Sequence, residues 1–300
     1  MTDAEQEGAP YWQGYLTDLG ILCGKSYEEM DVMARRMQAG VAHHPNDNGW
    51  VVDGKIVAPA AVDPYLRMKP IAHAIFNHLG AFPSMQERAR VLEVLYKYNY
   101  EKTKIVFHEG ARQALEALEG TNTFVVTNSY TEPVRKKLSI LGSNPDGSSS
   151  LSWMHDRVHG LAKKYVLSEG FDTVPEFMHL PGLNRPIYLR REKYYTVLKG
   201  LLAQAGCGWK DLVVIGDIFE LDLALPYTMG ARVGLLANDF TPPYEREFLL
   251  REDRGAVLES VKQIPEFAFG FGAFARGGCN KRAMAEASAR EEPEAKATKL

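Results

Sequence analysis

The stretch Asp211-Leu-Val-Val-Ile-Gly-Asp-Ile-Phe-Glu-Leu-Asp222 constrains this chain more than any other. Leu212 to Ile215 is a short apolar run bounded by turn signals, the pattern of a strand buried on both faces in a parallel sheet. Gly216 ends it, and two carboxylates five residues apart follow, Asp217 and Asp222. A short amphipathic helix and a Gly230-Ala231 turn then lead into a second apolar strand that ends at Leu236. Parallel α/β sheets build their sites at the carboxyl ends of strands. A turn residue and a helix N-cap would explain one acid but not both. A divalent cation explains both, because Mg²⁺ is usually held by one or two carboxylates while water and phosphate oxygens complete its shell.

A second landmark lies upstream. His108 to Gly120 carries apolar residues at helical spacing and ends in glycine, and Thr121-Asn-Thr-Phe-Val-Val-Thr-Asn-Ser129 follows as an apolar strand. A helical pattern resumes near Glu132. Hydroxyl and amide donors beside a helix N-terminus form a ready anion site, although the same residues also serve as ordinary caps.

Taken together, the two stretches resemble motifs IV and II of the haloacid dehalogenase (HAD) superfamily. That resemblance implies an α/β fold, a Rossmann-like parallel sheet of HAD type with a mostly helical cap inserted near the N-terminus. The implied activity is Mg²⁺-dependent hydrolysis of a phosphorylated small molecule through an aspartyl-phosphate, with the protein acting as a phosphatase. Thr127, Asn128 and Ser129 would bind the phosphoryl oxygens, and Asp217 with Asp222 would hold Mg²⁺. The family's third motif, a cation near the start of the helix before motif IV, falls on Lys193, with Arg190 and Arg191 as alternatives. Such a cation would neutralise charge where carboxylates and a phosphoryl group crowd together.

Motif I, an apolar strand ending in Asp-x-Asp-x-Thr, has no counterpart. The nearest match is Tyr15-Leu-Thr-Asp-Leu-Gly-Ile-Leu22, with Asp18 as nucleophile. Gly20 stands at the acid/base position, where it can protonate no leaving group, and Leu22 replaces the Thr. Asp53-Gly54, between two β-rich runs, reads as a hairpin turn, and Asp63-Pro64 as a turn into a helix. Three readings stay open. Asp18 is a divergent nucleophile, or the chain begins downstream of the first strand, or the protein is a non-catalytic relative that binds a phosphate ligand or a protein partner.

Organisation along the chain follows the same logic. Residues 1–10 read as disordered, 11–103 as a first-strand candidate and helical cap, and 104–265 as the α/β core with an insertion at 142–185. Residues 266–300 read as a Gly/Phe-rich segment and disordered tail. Ser26 and Glu29 form a capping box before a helix, and two further helices are expected near 64–79 and 84–99. Lys163 and Lys164 could face an anionic substrate but read first as a solvated charge pair, and His43-His44 read as loop residues.

Composition agrees with a soluble cytoplasmic protein. An apolar share of 45% supports a substantial core, and a net charge of −3 gives no nucleic-acid footprint. Three scattered cysteines argue against a disulfide framework. No apolar run approaches the roughly 20 residues a membrane span needs. No Gly-x-Gly-x-x-Gly follows any strand, which counts against dinucleotide binding.

Overall fold

The computed structural model describes residues 1–270. The first element is a 20-residue helix, α1 (Ala4–Cys23), capped by Asp3, whose side chain accepts from the backbone N–H of Gln6. This corrects two expectations, a disordered 1–10 and a strand leading to Asp18. Tyr11, Tyr15, Leu16 and Leu19 are buried on one face, a helical spacing of four, five and eight. Gly8, Pro10, Gly14 and Gly20 mask that period in the sequence, and tertiary packing overrides their poor helix propensity. Asn99 packs closely on Gly14, where a Cβ would lie 2.3 Å from its Oδ1, so a larger residue would force that side chain to shift.

The remaining cap elements follow the sequence closely. Helix α2 (Tyr27–His43) opens with the Ser26–Glu29 capping box. The hairpin β1 (Gly49–Val52) and β2 (Lys55–Pro59) turns at Asp53 and Gly54, both at positive φ. Helices α3 (Pro64–Leu79) and α4 (Met85–Tyr100) complete a bundle whose core includes Tyr15, Leu16, Met30, Met68, Ile75 and Leu92.

The α/β part begins with α5 (Ala111–Glu116), β3 (Val125–Val126) and α6 (Thr131–Leu141). The insertion supplies two two-residue strands, β4 (Val158–His159) and β5 (Phe177–Met178), and a third, β6 (Ile187–Tyr188), follows it. Then come α7 (Glu192–Ala205), β7 (Val213–Gly216), α8 (Ala224–Met229), β8 (Arg232–Leu236), α9 (Pro243–Arg251), β9 (Gly255–Leu258) and α10 (Ile264–Phe269). The disordered tail expected beyond residue 270 lies outside the described residues.

Strands β7, β8 and β9 form a parallel sheet, and β3 pairs in parallel with β4 alone. The expectation that the strands ending at Thr127 and Gly216 share one sheet is therefore corrected: among the described residues no ladder joins β3 to β7. The segment expected to run between them is helix α1. Both strands are half-buried along their whole length although their sequences are apolar. Met1 and Val125 both pack against the cluster of Val134, Leu138, Leu151, Met154 and Val158, and Thr2 forms an antiparallel bridge to Phe107. The architecture is α/β, with small parallel and antiparallel sheets under a helical bundle. No described helix is long and apolar enough to cross a membrane.

The helical register of α1 is directly testable. Leu16→Ala should cost about 2–5 kcal/mol in urea denaturation, as expected for a fully buried leucine. Leu22→Ala, at a site 48% exposed, should stay within about 0.5 kcal/mol. Equal effects at the two positions would contradict the helix.

Candidate functional site

The loop after β3 carries Thr127, Asn128 and Ser129. The Thr127 N–H donates to the His159 carbonyl at 3.0 Å, and its own carbonyl accepts from the Ala162 N–H at 2.9 Å. The Ser129 N–H donates to Thr127 Oγ1 at 3.1 Å. The chain leaving β4 lies so close that a Cβ on Gly160 would sit 2.5 Å from the Thr131 nitrogen, so only glycine fits there. Helix α6 starts just beyond, and its N-cap residue Tyr130 makes no side-chain cap hydrogen bond. The N–H groups of its first turn therefore lack a side-chain cap acceptor, as suits an anion.

Asp217 and Asp222 follow β7, but they have different surroundings. Asp222 sits in a π-helical turn, Phe219–Leu223, a rare conformation enriched at functional sites. Its side chain folds back over Gly216, where a Cβ would lie 2.5 Å from that of Asp222. Its Oδ2 accepts from the Ile218 N–H at 3.3 Å and its Oδ1 from Lys164 Nζ at 2.8 Å. Asp217 is open to solvent yet hemmed in by protein, with Asp63 and the Met1 ammonium close enough to act on it electrostatically. Burial, then Asp222 and Asp63, push its carboxyl from the usual 3.8 to about 7.

Lys164 joins these pieces. Its backbone N–H donates to Asn128 Oδ1 at 2.8 Å and its Nζ to Asp222, so one residue spans the β3 loop and the β7 loop. The expectation of a solvated Lys163–Lys164 pair is thus corrected for Lys164, which is 9% exposed and lies over the Tyr194 ring. Burial opposes its charge, but Asp222 and Tyr194 outweigh this and raise its pKa. No spacing rule pointed to it. The available signal was the Gly160-Leu-Ala-Lys-Lys164 string, in which Leu161 and Lys163 take positive φ.

The three expected third-motif cations have different surroundings. Lys193 lies on the exposed face of α7 and makes no hydrogen bond or ion pair among the described residues. Arg190 donates to the Glu169 carbonyl. Arg191 is fully buried and donates to three carbonyls, those of Tyr188 (3.0 Å), Lys164 (2.5 Å) and Val57 (2.8 Å). It secures the Lys164 loop and the β1–β2 hairpin. Asp18 does not reach the site. It projects from α1, accepts from Asn99 Nδ2 at 2.8 Å and pairs with Lys102 at 3.6 Å.

Magnesium held jointly by Asp217 and Asp222 does not fit this donor set. Both Asp222 oxygens are already engaged, one by the Lys164 ammonium and the other by the Ile218 N–H. Asp217 alone offers a free carboxylate. Two concavities, of about 190 Å³ beside His108 and Lys262 and about 550 Å³ along α6, are lined by none of these residues. No family model matches the chain, and no curated protein sequence matches it.

Asp217 makes stability pH-dependent. Its folded-state pKa lies above the unfolded value, so the stability it contributes is complete below about pH 3.8 and is lost as pH rises through about 7. Glu245 and Asp63, both also raised, act in the same direction. His73, His108 and the Met1 amino group, all lowered chiefly by burial, act in the opposite direction, so the readout is a difference. Between about pH 5 and about pH 8 the urea midpoint of Asp217→Asn should change with a less negative slope than that of the parent chain. An identical slope in the variant would contradict the Asp217 environment.

Proposed function

We propose that this chain binds a phosphorylated small molecule at the junction of the β3 and β7 loops, in a HAD-like site that lacks the aspartyl nucleophile assigned to Asp18. The observation that carries the reading is the double contact of Lys164 with Asn128 and Asp222. The Lys164 backbone N–H ties it to the β3 loop, which carries the Thr127 hydroxyl and leads into α6, and its ammonium ties it to the β7 loop. A hydroxyl, a helix N-terminus and an ammonium are the donor types that recognise a phosphoryl group. Asp18 belongs to the helical bundle, so an aspartyl-phosphate formed on it is not part of the proposal.

Hydrolysis is the second reading, favoured by Asp217. A solvent-open carboxylate titrating near 7 is matched to general-base work at neutral pH. It would take a proton from a water attacking phosphorus, without a covalent intermediate.

Calorimetric titration with inorganic phosphate and with small phosphomonoesters tests both readings. Thr127→Val with Asn128→Ala should weaken binding about tenfold or more, and Asp18→Asn should leave it unchanged. Saturable binding that is indifferent to Thr127 and Asn128 would overturn the site. If the protein also hydrolyses phosphomonoesters, Asp217→Asn should abolish turnover while preserving binding.

A further inference from the structure

We infer that Lys164 takes the charge-neutralising place assigned by resemblance to a divalent ion, so that a phosphoryl group binds here without metal. The inference rests on the phosphate-binding reading above and concerns what that site requires.

Three observations support it. Asp222 is fully committed: Oδ1 holds Lys164 Nζ, Oδ2 accepts from Ile218, and its Cβ lies against Gly216. It cannot turn towards Asp217 without giving up its bonds to Lys164 and Ile218. Lys164 is held at both ends of its own backbone, its N–H on Asn128 and its carbonyl on the buried Arg191 guanidinium. Its ammonium therefore stands at one point and is not a mobile surface charge. Finally, a divalent ion bridging Asp217 and Asp222 would have to displace a buried ammonium or sit beside it, and like charges in a poorly solvated place repel strongly.

An ammonium carries three donors. One is spent on Asp222, so the others can serve a phosphoryl oxygen held between the β7 loop and the β3 loop to which the Lys164 backbone is bonded. Lys164 is thus a ligand-contacting residue in this proposal, and Arg191 is the positioning residue that fixes it.

Phosphate binding is to be measured by calorimetry on the full chain, with excess Mg²⁺ and again with EDTA. Lys164→Met alone would leave Asp222 buried without a partner and risks unfolding. The informative variants are therefore Lys164→Met/Asp222→Asn, which removes both charges together, and Lys164→Arg, which keeps the cation. The expected result is the same Kd with Mg²⁺ and with EDTA. The double variant, folded by circular dichroism, should lose about tenfold or more, equivalent to about 1.4 kcal/mol. Lys164→Arg should retain most of the binding.

Phosphate binding that appears only with Mg²⁺ would overturn this inference and leave the phosphate site standing. So would a thermal shift from Mg²⁺ alone that disappears in Asp217→Asn. Undiminished binding in the folded double variant would overturn it as well. No phosphate binding under either condition would overturn the site itself, and the inference with it.

Discussion

The buried ion pair between Lys164 and Asp222 is the interaction on which the rest of the site depends. Burying a charge is costly unless it is paired and hydrogen-bonded, and here each partner finds its opposite charge in the other, with the Ile218 N–H adding a second bond to Asp222. Asp222 is placed by a π-turn over a glycine, Lys164 by a loop with two residues at positive φ. Neither conformation is cheap for L-residues. Their persistence follows from the pairing, together with the carbonyl contacts of Arg191.

The same economy of buried charge joins the helical bundle to the α/β part. Arg191 reaches from the start of α7 to the Val57 carbonyl in the hairpin. Arg185 makes a bidentate pair with Glu220 at 2.7 Å and also donates to the Pro45 carbonyl. Tyr244 donates to the same Glu220, and the Glu245 carboxylate accepts from the Phe219 N–H. Apolar contacts reinforce these bonds: Ala58 and Val62 pack on Ile218 and Leu221, and Trp50 on Tyr165. The π-turn carrying Asp222 is therefore clamped between the hairpin and the core, and the geometry of the site is tied to the docking of the bundle.

Legibility in the sequence tracks the range of the interactions involved. The Ser26–Glu29 box, the Asp53-Gly54 turn and helices α3 and α4 were readable because capping, positive φ and 3.6-residue periodicity are local properties. Helix α1 was not. Its glycines and Pro10 weaken the local signal, and its stability comes from burying Tyr11, Tyr15, Leu16 and Leu19 against three other helices. Reading that segment as a strand is also what made Asp18 look like a nucleophile.

The sequence by itself determined the apolar strands, the two acids after β7 and the hydroxyl–amide loop after β3, because each is a short string whose chemistry is set by near neighbours. Tertiary structure decided how they are used. It separated Asp217 from Asp222 in role, and it divided the parallel strands into two sheets. It placed Lys193 on the surface and Asp18 in the bundle, and it drew Lys164 from a loop into the centre. The physical reason is that a buried charge is positioned by its partner. For Lys164 that partner lies 58 residues further along the chain, beyond the reach of any local pattern.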